Sequence, residues 1–199
     1  MIVSACCESG VAVSLLTSPP PEQGTLYTCR SCGCRCHPVT IAPKVEIREA
    51  RGKGRGVFAT EFIAAGVIPI VGRAVEMWAG EPDERHSFSL SRGSHALLNE
   101  PASVLNHSCL PNLGVITLTG VEAYAFRACR DIQPGEELTW HYAMTELERT
   151  GIGDCRCGYC RGGEAPAWRD LSPVRRSVLL GYGVAQWLRD LRLPAEMAA

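Results

Sequence analysis

Three thiols lie within six residues, in Cys155-Arg156-Cys157-Gly158-Tyr159-Cys160, and this run constrains the fold more than any other feature. C-x-C and C-x2-C neighbours rarely bridge to each other as disulfides without strain, but they suit thiolate–metal ligation. Tetrahedral zinc takes about four ligands, so the run is one short and the chain must bring a sulfur back from elsewhere. Cys109, Cys129 and an N-terminal group are the candidates. The eleven cysteines are grouped: Cys6 and Cys7, then Cys29, Cys32, Cys34 and Cys36, then the C-terminal three, with Cys109 and Cys129 alone. An odd count cannot pair completely, so a reducing intracellular compartment, nuclear or cytoplasmic and not secreted, is expected.

Residues 1–24 end in Ser18-Pro19-Pro20-Pro21-Glu22-Gln23-Gly24 and read as a disordered tail. Residues 25–43 form a Cys-rich lead-in whose Cys29, Cys32, Cys34 and Cys36 are a candidate second zinc site. The alternative is a lead-in whose thiols bind nothing specific. Met1 to Leu16 contains no Lys or Arg, unlike a targeting signal, and no apolar stretch approaches the ~20 residues of a membrane span. The chain reads as soluble and away from membranes. With a formal net charge of -1 and a pI near 6.5, it carries no general basic field for nucleic acid, and direct nucleic-acid binding is not expected.

From Lys44 onward strand signals dominate. Val45 and Ile47 alternate with Glu46 and Arg48, a half-buried strand. Gly52, Gly54 and Gly56 precede an apolar strand, where glycine lets backbone approach a ligand; Lys53 and Arg55 add cationic reach towards a carboxylate. Residues 67–71 read as a strand and 78–104 as loop-rich. Residues 115–118 and 121–128 read as strands about Thr119-Gly120. In residues 138–142, strand alternation puts Leu138, Trp140 and Tyr142 on one face and Thr139 and His141 on the other. That suits a core tyrosine, or a hydroxyl at the base of an aromatic slot. Residues 171–191 carry Val174, Val178, Leu179, Val184, Trp187, Leu188 and Leu191 at helical spacing, with Gly181 and Gly183 dividing two packing helices.

Asn106-His107-Ser108-Cys109-Leu110-Pro111-Asn112 packs two amides, an imidazole, a hydroxyl and a thiol into a turn stiffened by Pro111. No P-loop, G-x-S-x-G elbow or H-E-x-x-H accompanies it.

Together these stretches resemble the SET-domain protein lysine methyltransferases over about residues 44–163. The resemblance rests on Gly54-Arg55-Gly56-Val57-Phe58-Ala59, the Asn106 to Asn112 motif, Arg130-Asp131-Ile132, Gly135-Glu136-Glu137-Leu138-Thr139-Trp140-His141-Tyr142 and the C-terminal cysteines. It implies a mainly β (α+β) fold: a β-clip of short curved sheets with a knot-like C-terminal segment, a zinc cluster and C-terminal helices. The implied layout is a SET domain at 44–148, a post-SET-like zinc cluster at 149–163 and a helical extension at 164–199.

The resemblance also implies S-adenosylmethionine against Lys53, Gly54, Arg55, Asn106 and His107, with His86 near a cofactor-contacting position. Tyr142 would carry the catalytic hydroxyl and Trp140 would limit how many methyl groups fit. Cys109 would complete one structural zinc with Cys155, Cys157 and Cys160. The implied partner is a protein bearing a target lysine, such as a histone tail, met by a monomeric enzyme. The family pattern is not kept at Trp140-His141, at Ser103-Val104, at His86, or in the C-x-C-x2-C spacing. A catalytically inactive, zinc-stabilised SET-like interaction module is therefore the competing reading.

Overall fold

The computed structural model describes residues 45–81, 87–118 and 122–191 in full, and the backbone of residues 2–4, 27–28, 35–36 and 38–40. It divides into two units, Met1–Lys44 and Val45–Ala199. In the first, strand β1 (Ile2–Ser4) pairs antiparallel with β4 (Pro38–Thr40), and β2 (Tyr27–Thr28) with β3 (Arg35–Cys36). Strand β1 lies within residues 1–24.

The second unit is built of short strands in two sheets. One has the order β10-β13-β6-β5, from β5 (Val45–Ala50), β6 (Gly54–Ala59), β10 (Asn106–His107) and β13 (Glu137–Trp140). The other has the order β11-β12-β7-β9-β8, from β7 (Ile70–Ala79), β8 (Ser87–Ser91), β9 (Ser94–Leu98), β11 (Leu113–Thr117) and β12 (Ala123–Ala128). Gly52 and Gly54 adopt φ 73° and 74° in the β5–β6 connection, a backbone region that glycine reaches without Cβ strain. Side chains from both sheets meet in one core that includes Val57, Ile70, Leu98, Leu105, Leu113, Phe126, Leu138 and Trp140.

Several expectations change. Residues 78–104 hold a hairpin where loop was expected: Ser87-Phe88-Ser89-Leu90-Ser91 alternates polar and apolar, and Gly93 at φ 74° turns it. The expected 67–71 strand begins at Ile70 and runs to Ala79. β13 ends at Trp140, where His141 accepts from the Ala143 N–H and caps a 3-10 helix, Tyr142–Met144. Tyr142 therefore reaches its place by a turn and not by strand alternation.

The C-terminal segment forms two helices, α1 (Pro173–Tyr182) and α2 (Gln186–Arg189). Ser172 caps α1 and Pro173 opens it; the break falls at Gly183, with Gly181 inside the helix. Val174 and Val178 are exposed, because α1 turns Leu179 and the buried Arg176 inward. Arg176 Nε donates to the Trp168 carbonyl (3.1 Å) and Nη2 to that of Arg169 (2.5 Å).

Candidate functional site

The Asn106 to Asn112 turn is fastened to β13 along its length. β10 pairs parallel with β13, Asn106 opposite Thr139 and His107 opposite Trp140. The Ser108 N–H donates to the Trp140 carbonyl (2.9 Å) and the Asn112 N–H to that of Thr139 (3.1 Å). The Asn112 amide bridges the same strand, accepting from the Thr139 N–H (2.8 Å) and donating to the Glu137 carbonyl (2.8 Å). Asn106 Nδ2 donates to the Arg55 carbonyl (3.0 Å) and to Glu137 Oε1 (2.9 Å). Both amides therefore lock the turn, the glycine-rich strand and β13 into one wall.

Gly56 makes this closeness feasible: a Cβ there would stand 2.8 Å from Asn106 Nδ2, 2.8 Å from Glu137 Oε1 and 2.9 Å from Ala50 Cβ. The cationic reach of Lys53 and Arg55 is engaged within the chain, Lys53 by Glu137 and Arg55 by Glu100 at 2.8 Å.

A cleft of about 950 Å³ opens beside this wall. Gly52, Lys53, Leu105, Asn106, His107, Trp140 and Tyr142 line it, as do Phe88, Glu146 and residues 149–157. Gly54 and Arg55 lie just outside the lining, with the Arg55 carbonyl spent on Asn106. Trp140 is buried, stacked on Phe88 (centroids 5.1 Å apart) and packed against Tyr142 (4.8 Å). Its Nε1 makes no hydrogen bond among the described residues. The Tyr142 hydroxyl donates to the Leu105 carbonyl at 3.1 Å. Burial, followed by the Glu137 and Glu146 charges, pushes that hydroxyl above its usual pKa, so it stays protonated.

Among the described residues, the sulfur that joins the three is that of Cys109. The Sγ atoms of Cys109, Cys155, Cys157 and Cys160 lie within 4.8 Å of one another; Cys109 and Cys155 are 3.9 Å apart, Cys157 and Cys160 3.7 Å. Four sulfurs about 2.3 Å from one zinc would stand about 3.8 Å apart, so the donor set fits tetrahedral zinc. Cys129 is elsewhere, its sulfur facing the Arg127 and Tyr182 carbonyls. Burial and then the Cys157 and Cys155 sulfurs push the Cys109 thiol up. Cys157 goes the other way: burial opposes ionisation, but the Cys109, Tyr159 and Cys160 N–H groups bring its thiol down to about 6. Four sulfurs packed so closely could all ionise only around a cation.

His107, Cys109 and His141 form a second close group. Here the hydrogen bonds argue against metal. Nδ1 of His107 accepts from the Tyr142 N–H (3.3 Å) and Nδ1 of His141 from the Ala143 N–H (3.2 Å), which leaves the hydrogen of each neutral ring on Nε2. A metal-bound imidazole has the reverse arrangement, donating from its other nitrogen. His107 Nε2 instead donates to Cys109 Sγ at 3.4 Å. Burial, with Lys53 and Arg175 behind it, lowers the His107 pKa to about 4; burial, with His107 and Arg175, lowers that of His141 to about 3. Both rings are neutral.

His86 and the cysteines at 29, 32 and 34 lie outside the described residues, and only the backbone of Cys36 is described. The sequence assigns no role to four neighbours of the site. Glu137 ties Lys53 to Asn106, and Arg175 donates to the Cys109 carbonyl from the first turn of α1. Ser89 bonds to Glu146, which lines the cleft. Of these, Glu137 alone belongs to a run singled out in the sequence, Gly135 to Tyr142.

Residues 54–143 match the SET domain family model. Among curated relatives, the histone-lysine N-methyltransferase SET9 of Chaetomium globosum is 33% identical over 47% of this chain and 14% of its own length. The histone-lysine N-methyltransferase TRX1 of Oryza sativa is 29% identical over 62% of this chain, again 14% of its own. The chain thus spans about a seventh of these relatives. A solved Plasmodium falciparum structure covers 51% of this chain and 95% of its own at 22% identity, with a TM-score of 0.43, a likeness too loose to argue from.

Proposed function

We propose, from the match of residues 54–143 to the SET domain family model, that the protein methylates the side-chain amine of a lysine in another protein, using S-adenosylmethionine. The observation that carries this is the Tyr142 hydroxyl, held on the Leu105 carbonyl at 3.1 Å where the cleft meets the Asn106-His107 wall. When bound, the cofactor supplies a methyl already activated on a sulfonium sulfur. Lys53, Asn106 and His107 on the cleft lining, with the adjoining Gly54 and Arg55 and with His86, would hold it.

The chain's own task is then mainly positioning. The Tyr142 and Leu105 oxygens offer acceptors for C–H···O contacts to a polarised methyl. Trp140 and Phe88 supply an apolar wall that disfavours an ammonium, which must lose its proton before attack. The same bulk at Trp140 narrows the slot and favours few methyl transfers; efficient trimethylation seen by mass spectrometry would refute this. Cys109, Cys155, Cys157 and Cys160 would hold one zinc, which braces the 155–160 segment against the cleft wall without taking part in the reaction.

Histones are the substrate class to try first, in keeping with a nuclear or cytoplasmic enzyme. The test is transfer of labelled methyl to core histones and to lysine-containing peptide arrays by zinc-loaded protein. Label on lysine supports the reading. Absence of both label and any calorimetric heat with S-adenosylmethionine, in folded protein, replaces it with the inactive interaction module.

A further inference from the structure

The cleft wall holds a carboxylate that methyl transfer as described does not use. Glu146 follows the Tyr142–Met144 turn and is 7% exposed, yet it lines the cleft beside Trp140 and Tyr142. Its Oε1 accepts from the Ser89 N–H (2.9 Å) and the Thr145 hydroxyl (2.8 Å), and its Oε2 from the Ser89 hydroxyl (2.6 Å). That fills three of the roughly four acceptor positions of a carboxylate.

Ser89 is in turn held from three sides. Its carbonyl accepts from the Tyr124 hydroxyl (2.6 Å) and from Trp187 Nε1 of α2 (3.1 Å). Its Oγ lies 3.2 Å from Nδ1 of the buried His95, whose Nε2 lies 3.1 Å from the Gly80 carbonyl. The titratable groups facing Glu146 are therefore His95 on β9, Tyr124 on β12 and Tyr142, and both tyrosines are pushed up, first of all by burial.

The proton count in this chain of groups is informative. A carbonyl only accepts, so the hydrogen of a neutral His95 ring sits on Nε2 and Nδ1 is left as an acceptor. Ser89 has one hydroxyl hydrogen and two acceptors in reach, Glu146 Oε2 and His95 Nδ1. With Glu146 ionised and His95 neutral, one of the two contacts has no hydrogen. Adding a proton completes both. Either it rests on Nδ1, which donates to Ser89 Oγ, or it rests on Glu146, which donates to Ser89 while Ser89 donates to His95. The arrangement is short of one proton and has a place for it at either end.

We propose that Glu146 receives the substrate's ammonium in the cleft and takes its proton, with Ser89 and His95 sharing the charge. This rests on the lysine-methylation reading. An N–H bond of the ammonium breaks, its electron pair stays on nitrogen as the nucleophile, and the proton passes to the carboxylate. From there it spreads through Ser89 to His95 and leaves to water after turnover. Burial raises the Glu146 carboxyl above its usual pKa, against the pull of the Ser89 and Thr145 hydrogen bonds, which suits a proton acceptor.

The test uses the full chain and the variant Glu146→Gln, which keeps shape and removes the charge. Titration with n-butylammonium followed by NMR should show saturable binding with shifts at Ser89 and His95, weakened about tenfold or more in the variant. On a methylated histone peptide, kcat should fall about 10²-fold. Its rise with pH should move towards the ~10.4 of a free lysine amine. Equal butylammonium affinity in both proteins, or an unchanged pH profile, overturns the proposal. Butylammonium bound through Glu146 without histone methylation would fail the substrate reading and leave this one standing. Should Glu146→Gln not fold, Ser89→Ala reads the same relay: it keeps the carboxylate and removes the hydroxyl bridge, and an unmoved profile there also overturns it.

Discussion

Gly56→Ala tests the wall on which the site is built. The new methyl would meet Asn106 Nδ2 and Glu137 Oε1 at 2.8 Å, where ordinary contact begins at 3.4 Å, so each must retreat by about 0.6 Å. Neither atom is at liberty to do so. Asn106 Nδ2 is bonded to the Arg55 carbonyl at 3.0 Å and to Glu137 at 2.9 Å, and Glu137 also holds Lys53. Overpacking costs about 1–3 kcal/mol, and losing two such bonds about 1 kcal/mol each. A total near 3–5 kcal/mol lowers Tm by about 6–20 °C in a domain of this size.

Gly54→Ala is the control. Its φ of +74° strains an alanine by about 1–2 kcal/mol, but nothing lies within 4 Å of the added carbon. Thermal unfolding monitored by circular dichroism should therefore rank Gly56→Ala well below Gly54→Ala. Calorimetry at a temperature where both are folded should show S-adenosylmethionine binding weakened about fivefold in Gly56→Ala, the worth of one Asn106 hydrogen bond. If the two variants unfold together, the wall is not packed as described.

Cys109→Ser should lower bound zinc by about one per chain in metal analysis; unchanged content would take Cys109 out of the ligand set. Tyr142→Phe should cut methyl transfer by about 10²-fold while cofactor binding persists in calorimetry, and undiminished turnover would return Tyr142 to a packing role. Gly114→Ala would put a carbon 2.0 Å from the Tyr182 carbonyl oxygen, so hydrogen exchange should show α1 and α2 deprotected together. Glu146→Gln should alter the pH dependence of stability. The folded state raises this carboxyl above its ordinary 4.5, so its contribution is present below that value and is lost as pH rises through the folded one. Denaturant melts across that range should show the wild type losing ground to the variant as pH increases; a constant gap refutes the assignment.

Much of the fold is legible in the sequence because local chemistry dictates it. Alternation marks β5, the glycines mark the turn into β6, and three clustered thiols demand a fourth sulfur from a distant part of the chain. The polar–apolar alternation of β8 is just as regular, yet the turn signals at 80–83 and 99–101 on either side make the stretch read as loop. Strand periodicity assigns Tyr142 to the correct neighbour, Trp140, by the wrong route, since it cannot foresee a capping histidine that ends the strand. Val174 and Val178 fit the helical period and still face outward, because the buried Arg176, satisfied by two carbonyls, lies on the opposite side of α1 and takes the inward face.

By itself, then, the sequence determined what depends on neighbours along the chain: strands, turns, caps and the number of available thiols. Only the tertiary structure brought Cys109 and not Cys129 beside the Cys155 cluster, turned the charge of Lys53 inward, and joined Ser89 and His95 to Glu146 of the cleft wall. The physical reason is separation. Glu146 meets Ser89 across 57 residues and Trp187 reaches Ser89 across 98. A lone glutamate or serine has no spacing to betray such a meeting; it acquires its chemistry only when the fold removes water from it and supplies the partner.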